Sequence, residues 1–311
     1  MKAIIPIPPQ ARQALFVVLA LLCLSGVLSS PFALLLGLLL AMLVGNLWPE
    51  VARLASSKLL KVAVVGLGFG LSIDSAWQAT SQGFSIIVLS ILFTLLLGTL
   101  IGRWLRVSFS TSYLISVGTA ICGGSAIAAV APTIKSPARD MSVALAVVFL
   151  LNAVALFTFP AVGRWLQMSQ ADFGLWAAIA IHDTSSVVGA GLAYGAEALQ
   201  VATSTKLARA LWILPVGLLS LWLAKNNQQR VSIPWFIFIF IGVVVANSYI
   251  DFKAAPVLYL GAKRLLVLTL FLIGSGLSIQ KLKAAGVKPF LLGSALWVSI
   301  SLFSLLIILL R

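Results

Sequence analysis

Gly118-Thr119-Ala120-Ile121-Cys122-Gly123-Gly124-Ser125-Ala126-Ile127 and Ala180-Ile181-His182-Asp183-Thr184-Ser185-Ser186-Val187-Val188-Gly189 interrupt an otherwise apolar chain. Each puts Gly, Ser and Thr midway along a segment of membrane-spanning length, and the second holds the chain's single histidine, His182, beside Asp183. Hydrocarbon tolerates irregular backbone and ionisable side chains only where they are buried in protein or line a wet cavity. The combination reads as a transport site.

The rest of the chain supplies the setting. Of 311 residues, 61% are hydrophobic and 9% charged, and the mean hydropathy is +1.13, more apolar surface than one soluble globule can hide. A spanning helix takes roughly 20 apolar residues. Segments of about that length fall near 12–28, 31–48, 59–73, 84–102, 111–131, 139–162, 173–195, 203–224, 233–250, 257–279 and 288–310, about eleven in all. This predicts an all-α polytopic membrane protein, a single transmembrane transporter domain over 1–311 with short connections. The Gly- and Ser-rich centres of 111–131 and 173–195 fit either discontinuous helices or re-entrant hairpins.

A net charge of +14 would suggest nucleic acid in a soluble protein. Here the basic residues lie mostly between apolar segments, where they encode orientation instead. Lys2 and Arg12 precede the first segment, Arg53, Lys58 and Lys61 follow the second, Arg103 and Arg106 the fourth, Lys225 and Arg230 the eighth. The loops after the first and third segments carry no Lys or Arg, so the N-terminus is expected on the cytoplasmic side, although Lys253, Lys263 and Arg264 count against it. No nucleic-acid partner is expected. Cys23 and Cys122 both lie in apolar segments as small hydrophobes, and one histidine with two distant cysteines cannot complete a structural zinc site. No metal or cofactor is implied. The chain shows no nucleophile and base pair, no phosphate-binding glycine loop and no HExxH motif, which leaves an enzyme reading without chemistry.

The chain also repeats itself. A shift of 206 residues superimposes Leu59-Leu60 on Leu265-Leu266, Gly68 on Gly274, Gly70-Leu71-Ser72-Ile73 on Gly276-Leu277-Ser278-Ile279, and Phe84 on Phe290. Gly45-Asn46 and Ala246-Asn247 close the preceding segments. An odd number of crossings separates the copies, approximately 31–102 and 233–308, so they face opposite ways about a central region, 111–224. Inverted repeats with broken helices near the midplane are a building plan of secondary transporters. The two interrupted segments resemble each other at an offset of 60, Ile121 against Ile181 and Ser125 against Ser185.

If both segments unwind, half-helix N-termini present N–H groups and partial positive charge to an anion. Gly123 and Gly124 admit close backbone approach, and Ser125, Thr184, Ser185 and Ser186 add hydroxyls; close helix packing is the other use of such residues in lipid. A charged Asp183 near the bilayer centre costs at least about 2.5 kcal/mol, so it needs a proton, a cation or a basic partner. His182, Lys206 and Arg209 are the candidates, the last two on one face of their segment. Exchange of Asp183 between Lys206 and a proton is one coupling device; a fixed Asp–Lys pair is the other reading. Asn152, alone among apolar residues Phe149 to Phe157, suits either a broken helix or substrate coordination.

The motifs Ala120-Ile121-Cys122-Gly123-Gly124-Ser125-Ala126-Ile127-Ala128-Ala129, Ala180 to Val188 and Thr205-Lys206-Leu207-Ala208-Arg209-Ala210-Leu211-Trp212 together resemble the YeiH-type sulfate exporter family of bacterial inner-membrane proteins, over nearly the whole chain. That family is grouped with the bile-acid symporter and sodium/proton antiporter superfamily. The resemblance implies inverted repeats, paired discontinuous helices and an elevator-like motion. It also implies substrate contacts from Cys122, Gly123, Gly124, Ser125, His182, Asp183, Thr184 and Ser185, with Lys206 and Arg209 supplying positive charge or balancing Asp183. The expected activity is export of a small anion, sulfate or a related sulfur oxyanion, coupled to protons or sodium, by a protein that forms homodimers by analogy. A sodium/proton antiporter without anion cargo is the alternative, and a non-transporting membrane protein with packed polar centres a third.

Overall fold

The computed structural model describes residues 8–45, 48–223, 235–250, 252–276 and 286–310. Asn46, Leu277-Ser278-Ile279 of the repeat, and the orientation-setting Lys2, Lys225 and Arg230 lie outside these residues. The described residues are helical, with no strand among them. In chain order the helices are α1 Pro9–Leu24, α2 Ser30–Leu43, α3 Pro49–Leu67, α4 Ile73–Trp104, α5 Phe109–Ala120, α6 Gly124–Val130, α7 Ala138–Trp165, α8 Gln170–Ala180, α9 Thr184–Tyr194, α10 Ala196–Ala210, α11 Ile213–Leu223, α12 Trp235–Tyr249, α13 Ala255–Gly276 and α14 Val287–Leu309. Among the described residues, four stretches are long and apolar enough to cross a membrane: Gly83–Trp104, Ala138–Trp165, Ala255–Gly276 and Val287–Leu309. The other apolar segments form shorter helices, several of them because a membrane-length run is broken at its centre.

Local chemistry explains most helix starts. Proline opens α1, α2 and α3, where its missing N–H has no intrahelical partner to lose. Ser108 caps α5 by accepting from the Thr111 N–H, and Ser169 caps α8 by accepting from the Asp172 N–H. Asp140 opens α7 and Arg164 closes it, each complementing the helix dipole. The segment expected at 203–224 divides into α10 and α11 at Leu211-Trp212. Pro215 is the reason: it has no N–H for the Leu211 carbonyl and its ring clashes with that carbonyl, which instead accepts from the Leu214 N–H at 3.1 Å.

The chain forms two compact units, each of two stretches: Met1–Ser75 with Trp235–Ser278, and Ala76–Pro234 with Ile279–Arg311. In the first unit α13 is the central element, packed on α1, α2 and α3, and α12 packs on α3. Small residues let these backbones approach: a Cβ on Gly37 of α2 would lie 2.8 Å from the Ser275 nitrogen, and one on Gly274 of α13 would lie 3.0 Å from the Leu38 nitrogen. Gly68 ends α3 under Val243 and Phe240 of α12. The link that follows, a 3-10 turn over Gly68–Gly70 and then extended at Leu71, is held by Asn247, whose Nδ2 donates to the Phe69 and Leu71 carbonyls at 3.2 and 3.3 Å. The Ser248 hydroxyl accepts from the Ile73 N–H at 2.8 Å.

In the second unit α10 packs on both α8 and α9, α7 on α5 and α9, and α14 on α5, α7 and α8. Ser112 of α5 donates to the Gly98 carbonyl of α4 at 3.1 Å, an approach that Gly102 permits, since a Cβ there would lie 2.7 Å from Ser112 Cβ. Trp104 and Trp165 project outward at the ends of α4 and α7, as expected of anchors at a membrane interface.

Candidate functional site at two crossed helix breaks

Both interrupted segments are broken where the sequence indicates. α5 and α6 are separated by Ile121-Cys122-Gly123, and α8 and α9 by Ile181-His182-Asp183. The breaks meet: a Cβ on Gly123 would lie 3.2 Å from Asp183 Cα and 3.3 Å from its backbone nitrogen. Gly123 has φ +64 and ψ −124, a conformation essentially restricted to glycine. Ile121 and Cys122 are buried beside it, Gly124 packs against Phe149 and Leu145 of α7, and Ser125 is exposed.

A broken helix in a low-dielectric setting must satisfy the carbonyls that lose their intrahelical partners. At the first break the Ile121 N–H bonds the Val117 carbonyl at 3.0 Å and the Gly123 N–H bonds the Gly118 carbonyl at 2.8 Å. The Arg209 guanidinium donates from Nε to the Ala120 carbonyl at 2.6 Å and from Nη2 to the Thr119 carbonyl at 3.5 Å. The same guanidinium reaches the second break, where Nη1 donates to the Ile179 carbonyl and, at 3.4 Å, to that of Ala178. Lys206 Nζ donates to the Ala178 and Ile181 carbonyls at 3.2 and 2.7 Å. Both side chains are fully buried. They stand one turn apart on α10, and their positive charge meets the negative ends of two half-helix dipoles.

The start of α9 is satisfied differently. Asn152 of α7 accepts with Oδ1 from the backbone N–H groups of His182 and Asp183, at 3.1 and 3.2 Å. Asp183 is the N-cap of α9, its Oδ2 accepting from the Ser185 N–H at 3.1 Å and from the Ser185 hydroxyl. A carboxylate is favourable at a helix start. Asp183 therefore bonds within its own turn, and Lys206 and Arg209 bond carbonyls; the direct Asp–Lys pair considered from sequence is replaced by two separate charge-to-helix-end contacts. Thr184 is buried.

Several buried polar groups around the breaks meet no protein partner: both ring nitrogens of His182, Nδ2 of Asn152, and the hydroxyls of Thr119 and Thr205. His182, Thr119 and Thr205 are fully enclosed, and Asn152 nearly so. Buried polar groups are normally hydrogen-bonded. The unpaired Asn152 Nδ2 belongs to the amide whose oxygen already holds the start of α9, so this donor lies at the break. Among the described residues no group of three or more His, Cys, Asp or Glu side chains could hold a metal ion.

The sequence singled out Cys122, Gly123, Gly124, Ser125, Asn152, His182, Asp183, Thr184, Ser185, Lys206 and Arg209. All lie at the two breaks or on the helices beside them, in one unit. Thr119 and Thr205 stood inside the quoted motifs but were not selected; a threonine at the end of a half-helix, or beside a buried lysine, is the signal that marks them. Two cavities lie elsewhere. One of about 680 Å³ is lined by Phe69, Asn247, Lys253 and Tyr259 in the first unit. A smaller one, about 230 Å³, is lined by Phe159, Trp176 and Trp297 in the second.

An all-helical, multi-pass architecture with paired discontinuous helices and charged groups buried at their breaks defines a membrane protein. A family model described as "Conserved hypothetical protein 698" matches residues 13–293, and the chain belongs to that family. It is 52% identical over 306 residues to a UPF0324 membrane protein of Photobacterium profundum, covering 97% of this chain and 93% of the relative. Over 286 residues it is 49% identical to a UPF0324 membrane protein of Bacteroides thetaiotaomicron, covering 90% and 86%. A UPF0324 membrane protein of Shewanella oneidensis is 50% identical over 302 residues, with 96% and 95% covered. No solved structure matches the chain.

Proposed function

We propose that this protein is a secondary transporter that carries a small anion across the bacterial inner membrane by alternating access, binding it at the crossed breaks of α5–α6 and α8–α9. One observation carries the reading: two fully buried cations, Lys206 and Arg209, share the crossing with a single carboxylate, Asp183. Burying an uncompensated charge costs several kcal/mol, on the order given for desolvated ions, and an anion is the ligand that offsets a positive excess. The unpartnered Asn152 and His182 side chains supply further donors. Sulfate or a related sulfur oxyanion is the cargo that the motif resemblance favours, and Asp183 is the group through which a proton or sodium ion couples to it.

The wider plan belongs to the same proposal: about eleven membrane segments, a cytoplasmic N-terminus, a homodimer, and inverted repeats over approximately 31–102 and 233–308 that enclose the central region 111–224 within one transporter domain. Support for the repeat comes from the first unit, where α2 of one copy packs on α13 of the other and α12 packs on α3. The matched glycines Gly68 and Gly274 both stand at these cross-copy contacts.

Counterflow in proteoliposomes tests the reading. Labelled sulfate, sulfite, chloride or nitrate should exchange only in vesicles that contain the protein. Sodium-driven pH change without exchange of any anion would overturn it in favour of a sodium/proton antiporter, and no flux of either kind would leave only packing.

A further inference from the structure

Accepting the anion site just proposed, the charges at the crossing say what valence of anion it fits. Each broken helix contributes one C-terminal and one N-terminal end to its own break, so the partial charges of the ends cancel pairwise and the formal charges decide. Arg209 is a guanidinium, which stays protonated in proteins. Lys206 enters the balance as an ammonium that donates to two carbonyl oxygens, Ala178 at 3.2 Å and Ile181 at 2.7 Å. Against these two cations stands Asp183, whose Oδ2 accepts two hydrogen bonds from Ser185, as a carboxylate does. The other ionisable groups at the breaks are His182, enclosed with neither ring nitrogen bonded, and the buried Cys122 thiol. One positive charge is left over.

A second feature shows where the balancing charge sits relative to Asp183. Asn152 accepts the His182 and Asp183 N–H groups with one end of its amide and leaves Nδ2 unpartnered at the other. It is enclosed, at 3% exposure, so this donor faces no bulk water. An anion that takes it lies beside the start of α9, the turn that Asp183 caps. We infer that Asp183 sets the valence of the cargo: the site binds a singly charged anion while Asp183 is ionised and accepts a doubly charged one only when that carboxylate is neutralised. Among sulfur oxyanions the class is hydrogensulfite, and sulfate binds only together with a proton on Asp183. A dianion beside an ionised Asp183 would leave the buried site one charge too negative, whereas a monoanion leaves it balanced.

Perchlorate and sulfate test this, because both are tetrahedral oxyanions and differ by one charge. Calorimetric titration of the purified full-length protein at neutral pH is expected to give perchlorate the tighter binding. In Asp183→Asn, which keeps an acceptor for Ser185 but removes the charge, the ratio of sulfate to perchlorate affinity should rise by about a hundredfold, the factor one unit charge exerts at about 6 Å with an effective dielectric of about 20. Wild-type preference for sulfate at neutral pH would overturn the inference and leave the anion-transport reading standing. So would a folded Asp183→Asn protein with an unchanged ratio. Absence of binding by either ion, together with no anion counterflow, would overturn both. Should Asp183→Asn not fold, titration of the wild type at falling pH gives the same information: sulfate affinity should rise relative to perchlorate as the carboxylate is protonated, and a constant ratio would refute the inference.

Discussion

Gly123 and Asp183 touch backbone to backbone where two broken helices cross: a Cβ at position 123 would lie 3.2 Å from Asp183 Cα. The contact exists because Gly123 takes a backbone conformation closed to other residues. It brings Asp183, the half-buried acid of the crossing, onto the first break, while Arg209 ties the carbonyl ends of both half-helices.

Gly123→Ala should therefore be costly. The new methyl group meets strain at positive φ and steric conflict with Asp183, together about 1–3 kcal/mol. Thermal unfolding in detergent should show a clear fall in midpoint and anion counterflow should be lost. Gly261→Ala, whose added methyl group has open space, is the control and should change neither; a wild-type midpoint in Gly123→Ala would contradict the crossing.

Arg209 and Lys206 should rank in a fixed order. Arg209 serves carbonyls at both breaks and Lys206 only at the second. Removing a hydrogen-bonding partner from a buried acceptor costs about 1–3 kcal/mol per group. Arg209→Met should lower the unfolding midpoint more than Lys206→Met, measured on the same detergent-solubilised preparation. Equal effects, or the reverse order, would contradict the arrangement of bonds.

Asn152→Asp separates fold from binding. The carboxylate keeps an acceptor for the His182 and Asp183 N–H groups but replaces the donor Nδ2 with negative charge. Anion affinity should fall by about tenfold or more, with the midpoint held within a few degrees. Asn152→Leu leaves those two N–H groups without an acceptor and should lose about 1–3 kcal/mol of stability. Unchanged affinity in Asn152→Asp would remove Asn152 from the binding site.

Accessibility should differ between the two breaks. Ser125 is exposed, whereas Ser185 is 1% exposed behind the Asp183 carboxylate. In a background with Cys23 and Cys122 replaced by Ala, a maleimide should label Ser125→Cys at least about tenfold faster than Ser185→Cys, since modification follows exposure of the thiolate. Equal rates would show that the second break opens to solvent.

The breaks were legible because lipid makes Gly, Ser, Thr, His and Asp conspicuous in apolar surroundings; Ile121-Cys122-Gly123 and Ile181-His182-Asp183 are the non-helical residues. The division at Leu211-Trp212 was not anticipated, since hydropathy runs unbroken through it and only Pro215 signals it. The partners of the charged residues were not legible either. Sequence spacing pairs acid with base, but a helix end is a charge that no residue letter records, so Lys206 and Arg209 looked like counterions of Asp183 when their bonds run to Ala120, Ala178, Ile179 and Ile181.

What the sequence determined by itself is the medium and the places where the chain departs from it: a chain this apolar needs lipid, and polar residues in such a run must be sheltered. What only the tertiary structure decided is which groups shelter which. Gly123 finds Asp183, Arg209 finds both half-helix ends, and Asn152 finds the start of α9, through contacts spanning from 30 to 90 residues of chain. The reason is physical: periodicity and hydropathy act within a segment, whereas a buried hydrogen bond is satisfied by whichever distant atom the packing of whole helices brings within 3 Å or so.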